Sequence, residues 1–195
     1  MKTKFILLLF SIFIITSCEK TTEEEKKKDS YVADNYTKKE VDIEMRDGTK
    51  LHTTIYSPKD TSKKYPILMQ RTPYSSTPYG EGKMKSKIGP NVHLMKEGNI
   101  VVYQDVRGRW MSEGVYDNMR AYIPNKEANQ SDEVSDTYDT IDWLVKNVEN
   151  NNGNVGTWGI SYPGHYATVS SIDAHPALKA ASPQASIGDF FFDDF

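Results

Sequence analysis

From Lys39 onward, apolar and polar residues alternate, and the alternation continues beyond a turn at Asp47-Gly48. A period of two on both sides of such a turn predicts an antiparallel β-hairpin. Two later runs, Tyr65 to Met69 and Asn99 to Tyr103, are almost continuously apolar, which is typical of strands covered on both faces. Folded structure is therefore expected to begin near Lys39. The alternating positions of the hairpin are Val41, Ile43, Met45, Leu51, Thr53 and Ile55.

Helical spacing appears in the second half of the chain. Behind the predicted cap Ser131, apolar residues recur at intervals of four and three, which predicts an amphipathic helix from about Asp132 to Val148. Because strands and helices alternate, we expect an α/β fold whose sheet is mostly parallel, with the antiparallel hairpin at its edge. The other predicted elements are helices over Asn91 to Glu97 and Tyr162 to Ala174, and strands over Val155 to Ile160 and Leu178 to Ala181.

The first 17 residues have the composition of a targeting segment. Lys2 and Lys4 precede an apolar run of eleven residues, Phe5 to Ile15, and small residues lead to Cys18. The segment resembles a bacterial lipoprotein signal, which implies cleavage before Cys18, lipidation of its sulfur, and a membrane anchor in the cell envelope that faces the periplasm or the cell surface. An uncleaved signal anchor is the alternative, but the apolar run is too short to span about 30 Å of hydrocarbon.

Residues 18–38 are rich in charge and poor in apolar side chains. This composition predicts a flexible tether, with an export or partner signal in its acidic cluster as the alternative. Over the whole chain, 24 Lys plus Arg stand against 27 Asp plus Glu, so the net charge of −3 gives no support to nucleic-acid binding. A single cysteine also excludes a scaffold held by disulfides.

The strongest chemical signal is the run from Gly159 to Gly164, which places Ser161 between a predicted strand and a predicted helix. Small residues on both sides allow the sharp turn of a nucleophile elbow, in which the serine hydroxyl is exposed at the positive end of the helix dipole. A serine that only caps the helix would occupy the same position without any catalytic role. The sequence predicts Ser161 as a nucleophile, with capping as the alternative.

Four blocks in a fixed order carry a resemblance to a known family. The chain from about Val41 onward resembles the X-Pro dipeptidyl-peptidase and cocaine-esterase superfamily of α/β-hydrolases, in particular α-amino-acid ester hydrolases and glutaryl-cephalosporin acylases. The resemblance implies a serine hydrolase that forms an acyl-enzyme with an ester, amide or peptide substrate and needs no cofactor. The blocks are Met45 to Leu51, Arg71 to Tyr74, Asp105 to Arg109 with Ser112 to Gly114, and Gly159 to Gly164.

The same resemblance assigns roles to single residues. Ser161 matches the nucleophile, and the backbone N–H of Tyr162 and the hydroxyl of Tyr74 match the two oxyanion donors. For Tyr74, a packed loop aromatic is the alternative. Asp194 matches a carboxylate that holds the α-ammonium group of the substrate in α-amino-acid ester hydrolases, and a solvated acidic turn is the alternative there.

The block from Asp105 to Gly114 combines two arginines with glycines. We expect a structural loop tied down by charge-assisted hydrogen bonds. Binding of a substrate carboxylate by Arg107 or Arg109 is the alternative.

A serine hydrolase of this fold also needs an acid and a histidine base after the serine in the chain. His165 lies on the same predicted helix as Ser161, and His175 precedes a proline at a turn, so neither suits this role. In the resembled family both groups lie far downstream, which implies that residues 39–195 are the N-terminal part of a larger catalytic domain and are inactive alone. Other activities of the superfamily and a non-catalytic surface lipoprotein are the alternatives. The sequence contains no pattern typical of a metal site or a phosphate-binding loop.

Overall fold

The computed structural model describes residues 31–188, and its framework is one mixed sheet. The strands are β1 (Tyr36–Glu44), β2 (Lys50–Pro58), β3 (Tyr65–Thr72), β4 (Ile100–Asp105), β5 (Asn151–Ile160) and β6 (Leu178–Gln184). The helices are α1 (Val92–Glu97), α2 (Glu133–Asn147) and α3 (Tyr162–Val169), and residues 31–35 form a further helical segment before β1. No helix among these residues is long and apolar enough to cross a membrane.

The strands lie in the order β1-β2-β4-β3-β5-β6. β1 pairs with β2 and β2 with β4 in antiparallel fashion, whereas the pairs β4 with β3, β3 with β5, and β5 with β6 are parallel. This confirms the predicted sheet, including its antiparallel edge. The carboxyl ends of the four parallel strands share one edge, which is where ligands bind in open α/β sheets.

Apolar side chains cover both faces of the sheet. On one face, α2 packs Ile141 and Leu144 against strand residues such as Ile67. On the opposite face, Met95 of α1 joins a second apolar cluster around Val101. Burial on both faces explains why the runs in β3 and β4 are continuously apolar.

The fold begins earlier than the predicted start at Lys39. Val32 and Tyr36 are buried in the second cluster, and the Tyr36 hydroxyl donates a hydrogen bond of 2.6 Å to the carbonyl of Met95. The few apolar residues of this segment therefore pack against the sheet. The predicted tether of residues 18–38 is too long at its C-terminal end, because residues 31–38 belong to the folded part.

The cap of α2 also differs from the prediction. Asp132, and not Ser131, is the N-cap residue: its side chain accepts a hydrogen bond of 2.8 Å from the Ser135 N–H, and the Ser135 hydroxyl accepts one of 2.8 Å from the Asp132 N–H. Ser131 instead donates its hydroxyl proton to Asp47 at 2.8 Å. A carboxylate is a strong cap here because it is negative at the positive helix end.

Three boundaries lie elsewhere than predicted. α3 ends at Val169 and not at Ala174, because the hydroxyls of Ser170 and Ser171 bond to carbonyls three residues earlier and compete with helix formation. β5 begins at Asn151, which pairs with Tyr65 of β3 despite the low strand propensity of asparagine. β6 continues to Gln184, since it pairs with β5 along its length.

Candidate active site

Ser161 occupies a strained turn between β5 and α3. Its backbone has φ 61° and ψ −121°, a conformation that non-glycine residues rarely adopt. Backbone hydrogen bonds hold the turn on both sides: the Ser161 N–H donates to the carbonyl of Gln184 at 2.9 Å, and its carbonyl accepts from the His165 N–H at 3.1 Å. Such strain persists only where the surroundings enforce it, and it is common at active sites.

Two glycines make this turn possible. A Cβ atom at Gly159 would lie 2.2 Å from the carbonyl oxygen of Pro163, and one at Gly164 would lie 2.7 Å from the carbonyl oxygen of Gln184. Neither distance is compatible with a side chain, because the opposing atoms belong to the backbone. The chain therefore needs glycine at both positions for α3 to approach β5 and β6 this closely.

The side chain of Ser161 is not used to cap the helix. Ser161 is exposed and stands at the N-cap position of α3, yet its hydroxyl makes no capping hydrogen bond. The structure thus shows no side-chain cap from Ser161 to α3. The hydroxyl faces solvent at the positive end of a helix, where a developing negative charge is favoured.

Tyr162 connects the turn to a neighbouring loop. Its hydroxyl lies 2.8 Å from the hydroxyl of Tyr116, accepts a hydrogen bond of 3.0 Å from the Met119 N–H, and donates to the side-chain oxygen of Asn118. Burial and the hydrogen bond with Tyr162 raise the pKa of Tyr116, so the phenol of Tyr116 stays protonated at neutral pH. The residue that follows Ser161 is thus fixed by its side chain as well as by α3.

Tyr74, the second predicted oxyanion donor, lies beside this turn. Its ring is 62% exposed and packs edge-on against the ring of Tyr162, with 6.2 Å between the ring centroids. The backbone N–H of Tyr74 donates to the hydroxyl of Thr72 at 3.0 Å. The structure therefore brings Tyr74 into contact with Tyr162, 88 residues later in the sequence and directly after Ser161.

The loop after β4 is tied down as its charges and glycines predict. Arg107 is 5% exposed and donates two hydrogen bonds to Asp136, at 2.6 and 3.0 Å, and two to Asp47, at 2.7 and 3.2 Å. Because these carboxylates saturate the guanidinium, Arg107 is not available to a substrate carboxylate. Arg109 donates to the carbonyl of Pro73 at 3.2 Å, and so contacts the segment that contains Tyr74.

A buried polar network beneath the turn was missed by sequence reasoning. Arg71 donates to the side chains of Gln104 at 2.8 Å, Glu133 at 3.1 Å and Thr137 at 2.9 Å, and its guanidinium lies 5.5 Å from the ring centre of Tyr166 in α3. Burial raises the pKa of Glu133, and the charge of Arg71 opposes this effect. In the sequence, the network is signalled only by an arginine two residues after the apolar run from Tyr65 to Met69.

None of the four histidines, all of which lie within residues 31–188, hydrogen-bonds the hydroxyl of Ser161. His165 lies on α3, edge-on to Tyr162, and burial lowers its pKa. His175 lies 3.5 Å from Asp142 and accepts a hydrogen bond from the N–H of Ala177. The structure agrees with the prediction that His165 and His175 do not form the base of a triad with Ser161.

Two predicted functional residues, Cys18 and Asp194, lie outside the described residues. Within residues 31–188, no group of three or more histidine, cysteine or acidic side chains is arranged to hold a metal ion.

Comparisons with known proteins place this chain among hydrolases. The chain is 29% identical over 149 residues to cocaine esterase from Rhodococcus sp. (strain MB1 Bresler), a match that covers 76% of this chain and 23% of the esterase. Among solved structures, an α-amino acid ester hydrolase is 40% identical with a TM-score of 0.71, and the match covers 80% of this chain and 26% of that protein. An aminopeptidase from a marine sediment archaeon, Thaumarchaeota archaeon, is 40% identical with a TM-score of 0.70, covering 78% and 26%.

These matches confirm the α/β-hydrolase fold for the part of the chain that the structure describes. The chain spans about a quarter of the length of these relatives. The family model described as X-Pro dipeptidyl-peptidase (S15 family) matches residues 47–195, which include the turn at Ser161 and the segment of Tyr74. The chain therefore belongs to the X-Pro dipeptidyl-peptidase (S15) family.

Proposed function

We propose that the protein is a serine hydrolase in which Ser161 attacks the carbonyl carbon of an ester or amide. The bond to the alcohol or amine breaks, an acyl-enzyme remains on the Ser161 oxygen, and water releases the acid. The observation that carries the proposal is the backbone of Ser161, with φ 61° between two glycines that no other residue can replace. A strained and uncapped serine at a helix N-terminus is the arrangement that nucleophilic attack requires.

Two donors stabilise the oxyanion in this proposal: the N–H of Tyr162 and the hydroxyl of Tyr74. The N–H of Tyr162 lies in the first turn of α3, where backbone N–H groups have no partner within the helix. The ring contact between Tyr74 and Tyr162 supports the second assignment. Loss of one such donor lowers turnover by about 10²–10³.

The histidine base and its acid come from a part of the protein outside residues 31–188 in this proposal. His52 lies on β2 with its ring 2.9 Å from Asp42, His93 lies on α1, and His165 and His175 have the contacts described above. The relatives are about four times as long as the matched region, which leaves ample chain for both groups.

For the substrate, we favour esters of α-amino acids. The α-amino acid ester hydrolase and the aminopeptidase, both 40% identical to this chain, carry names that refer to substrates with an amino group. Asp194 is proposed to attract the α-ammonium of the substrate, because a carboxylate favours a cation in a partly desolvated pocket. Hydrolysis of X-Pro peptides, or of esters in the manner of a cocaine esterase, is the second candidate, supported by the family match and by the similarity to cocaine esterase.

Two variants test the chemistry. In the protein expressed from its complete reading frame, a fluorophosphonate probe is expected to label the wild type, and Ser161→Ala is expected to lose the label. Ser171→Ala is the matched control, because Ser171 is also exposed and follows the same helix. If Ser161→Ala is labelled as strongly as the wild type, and the probe is found on the same peptide, the proposal is contradicted.

A substrate comparison tests the role of Asp194. Asp194→Asn is expected to raise KM for an α-amino-acid ester and to leave KM for a neutral acetyl ester nearly unchanged, because only the first substrate carries a charge. Equal losses on both esters assign Asp194 to the fold instead.

The membrane anchor is a proposal of its own. We propose that Cys18 carries lipid and holds the protein in the cell envelope, on the strength of the lipoprotein-like segment before it. Metabolic labelling with a palmitate analogue is expected to mark the wild type and to leave Cys18→Ala unmarked.

A further inference from the structure

A buried carboxylate links two loops at the carboxyl edge of the sheet. Asp105 ends β4 and is fully buried. Its Oδ1 accepts a hydrogen bond of 2.7 Å from the Ser76 N–H, and its Oδ2 accepts one of 2.7 Å from the Tyr79 hydroxyl and a longer one of 3.4 Å from the Met111 N–H. All three donors belong to the loops after β3 and β4, so Asp105 holds these loops together.

A chain of hydrogen bonds leads from Asp105 to the residue beside Tyr74. The Tyr79 hydroxyl, which donates to Asp105, lies 3.0 Å from the hydroxyl oxygen of Ser75. Ser75 has φ 97°, a conformation that is strained for a residue other than glycine. Its neighbour Tyr74 therefore keeps its direction only while the surrounding bonds enforce this backbone.

The other side of Tyr74 is held by the loop after β4. The carbonyl of Pro73 accepts hydrogen bonds from Trp110 at 2.9 Å and from Arg109 at 3.2 Å. This loop is attached to Asp105 in turn, since the hydroxyl of Ser112 donates to the Asp105 carbonyl at 2.7 Å. Both flanks of Tyr74 thus depend on the same residue.

We propose that Asp105 is a positioning residue that directs the hydroxyl of Tyr74 toward the oxyanion formed at Ser161. The inference rests on the proposed function, because it takes Tyr74 as an oxyanion donor. A carboxylate suits the task, since both of its oxygens accept hydrogen bonds. An asparagine places an NH₂ group toward one set of donors, so it loses acceptors and the added strength of charge-assisted bonds.

The test uses kcat and KM of the full-length protein with a neutral ester. Asp105→Asn is expected to lower kcat by about 10- to 100-fold through misplacement of Tyr74, and to change KM less than about threefold. Tyr79→Phe removes one link of the same chain and is expected to lower kcat in the same direction while leaving Asp105 in place. This second variant decides the matter if Asp105→Asn does not fold.

The combination with Tyr74→Phe separates positioning from a general structural role. If Asp105 acts through Tyr74, then Asp105→Asn lowers kcat by less than about threefold once Tyr74 is already phenylalanine. If Asp105→Asn lowers kcat by the same factor in the wild type and in the Tyr74→Phe variant, the inference is wrong. Asp132→Asn is the matched control. Asp132 is equally buried and accepts two backbone N–H bonds, from Ile123 and Ser135, but it accepts none from Ser76, Tyr79 or Met111, the donors to Asp105. The kcat of Asp132→Asn should therefore equal that of the wild type.

The outcomes distinguish this inference from the proposed function. Unchanged turnover in Ser161→Ala overturns the proposed function and the inference with it. Unchanged kcat in Tyr74→Phe removes the oxyanion role of Tyr74 and overturns the inference, while Ser161 keeps its role. If Ser161→Ala and Tyr74→Phe both lose activity while Asp105→Asn and Tyr79→Phe keep the wild-type kcat, the inference is wrong and the proposed function stands.

Discussion

Two strand ends on the same edge of the sheet use their polar groups in opposite ways. After β4, Arg107 is buried and its guanidinium is saturated by two carboxylates. After β5, Ser161 is exposed, strained, and makes no capping bond with its hydroxyl. The first arrangement uses its polar groups to hold loops in place, and the second leaves a hydroxyl exposed to solvent. The buried framework and the exposed hydroxyl that we propose as the nucleophile are thus supplied by separate loops.

The largest expected effect comes from removing the guanidinium of Arg107. Arg107→Met leaves the buried Asp136 without its closest charged partner and is expected to lower the free energy of unfolding by about 3–5 kcal/mol, measured by urea unfolding. Lys146→Met is the control, because Lys146 is 66% exposed and pairs with a partly exposed Asp142; its loss should cost less than about 0.5 kcal/mol. Equal losses in the two variants contradict this account of Arg107.

The next prediction concerns the strained turn at Ser161. Gly159→Ala places a Cβ against the backbone of Pro163 and must displace α3, so the rate of fluorophosphonate labelling is expected to fall by about 100-fold. Gly156→Ala, on the same strand, meets the end of the flexible Leu68 side chain at 3.3 Å and the Ala180 carbonyl oxygen at an ordinary contact distance of 3.8 Å, so it should keep most of the labelling rate. A Gly159→Ala protein that is labelled like the wild type shows that the turn tolerates this shift.

A smaller effect measures the strain itself. Ser161→Gly and Ser161→Ala both remove the hydroxyl of Ser161, but only glycine adopts the observed backbone without strain. Ser161→Gly is therefore expected to be more stable than Ser161→Ala by about 1 kcal/mol in urea unfolding. Equal stability of the two variants argues that the turn stores no strain.

The last prediction is a pH dependence at Asp47. Burial raises the pKa of this carboxyl, but hydrogen bonds from Arg107, Ser131 and Thr49 outweigh burial and lower the pKa to about 2. Because the folded pKa lies below the unfolded value of about 3.9, the stabilisation by Asp47 is complete above about pH 4 and is lost as the pH falls toward 2. The difference in unfolding free energy between wild type and Asp47→Asn should therefore shrink over this window. A constant difference from pH 7 to pH 2 contradicts it.

Local patterns in the sequence were sufficient for much of the fold. Alternation around Asp47-Gly48 predicted the hairpin, continuous apolar runs predicted β3 and β4, and the glycines around Ser161 predicted the turn between β5 and α3. These features are encoded in consecutive residues, because strand periodicity and backbone conformation depend on near neighbours. The family resemblance, carried by short ordered blocks, was confirmed for the same reason.

Contacts between distant residues were decided only by the tertiary structure. Nothing near Ser131 shows that its hydroxyl turns to Asp47, 84 residues away, and leaves the cap of α2 to Asp132. Likewise, the sequence presents Asp105 as one residue of an Asp-Val-Arg block, whereas the fold seats it beneath Ser76, 29 residues away. A hydrogen bond forms only where donor and acceptor have the right distance and angle. For these residues, distance and angle are fixed only after the sheet has brought the loops of separate strands to one edge.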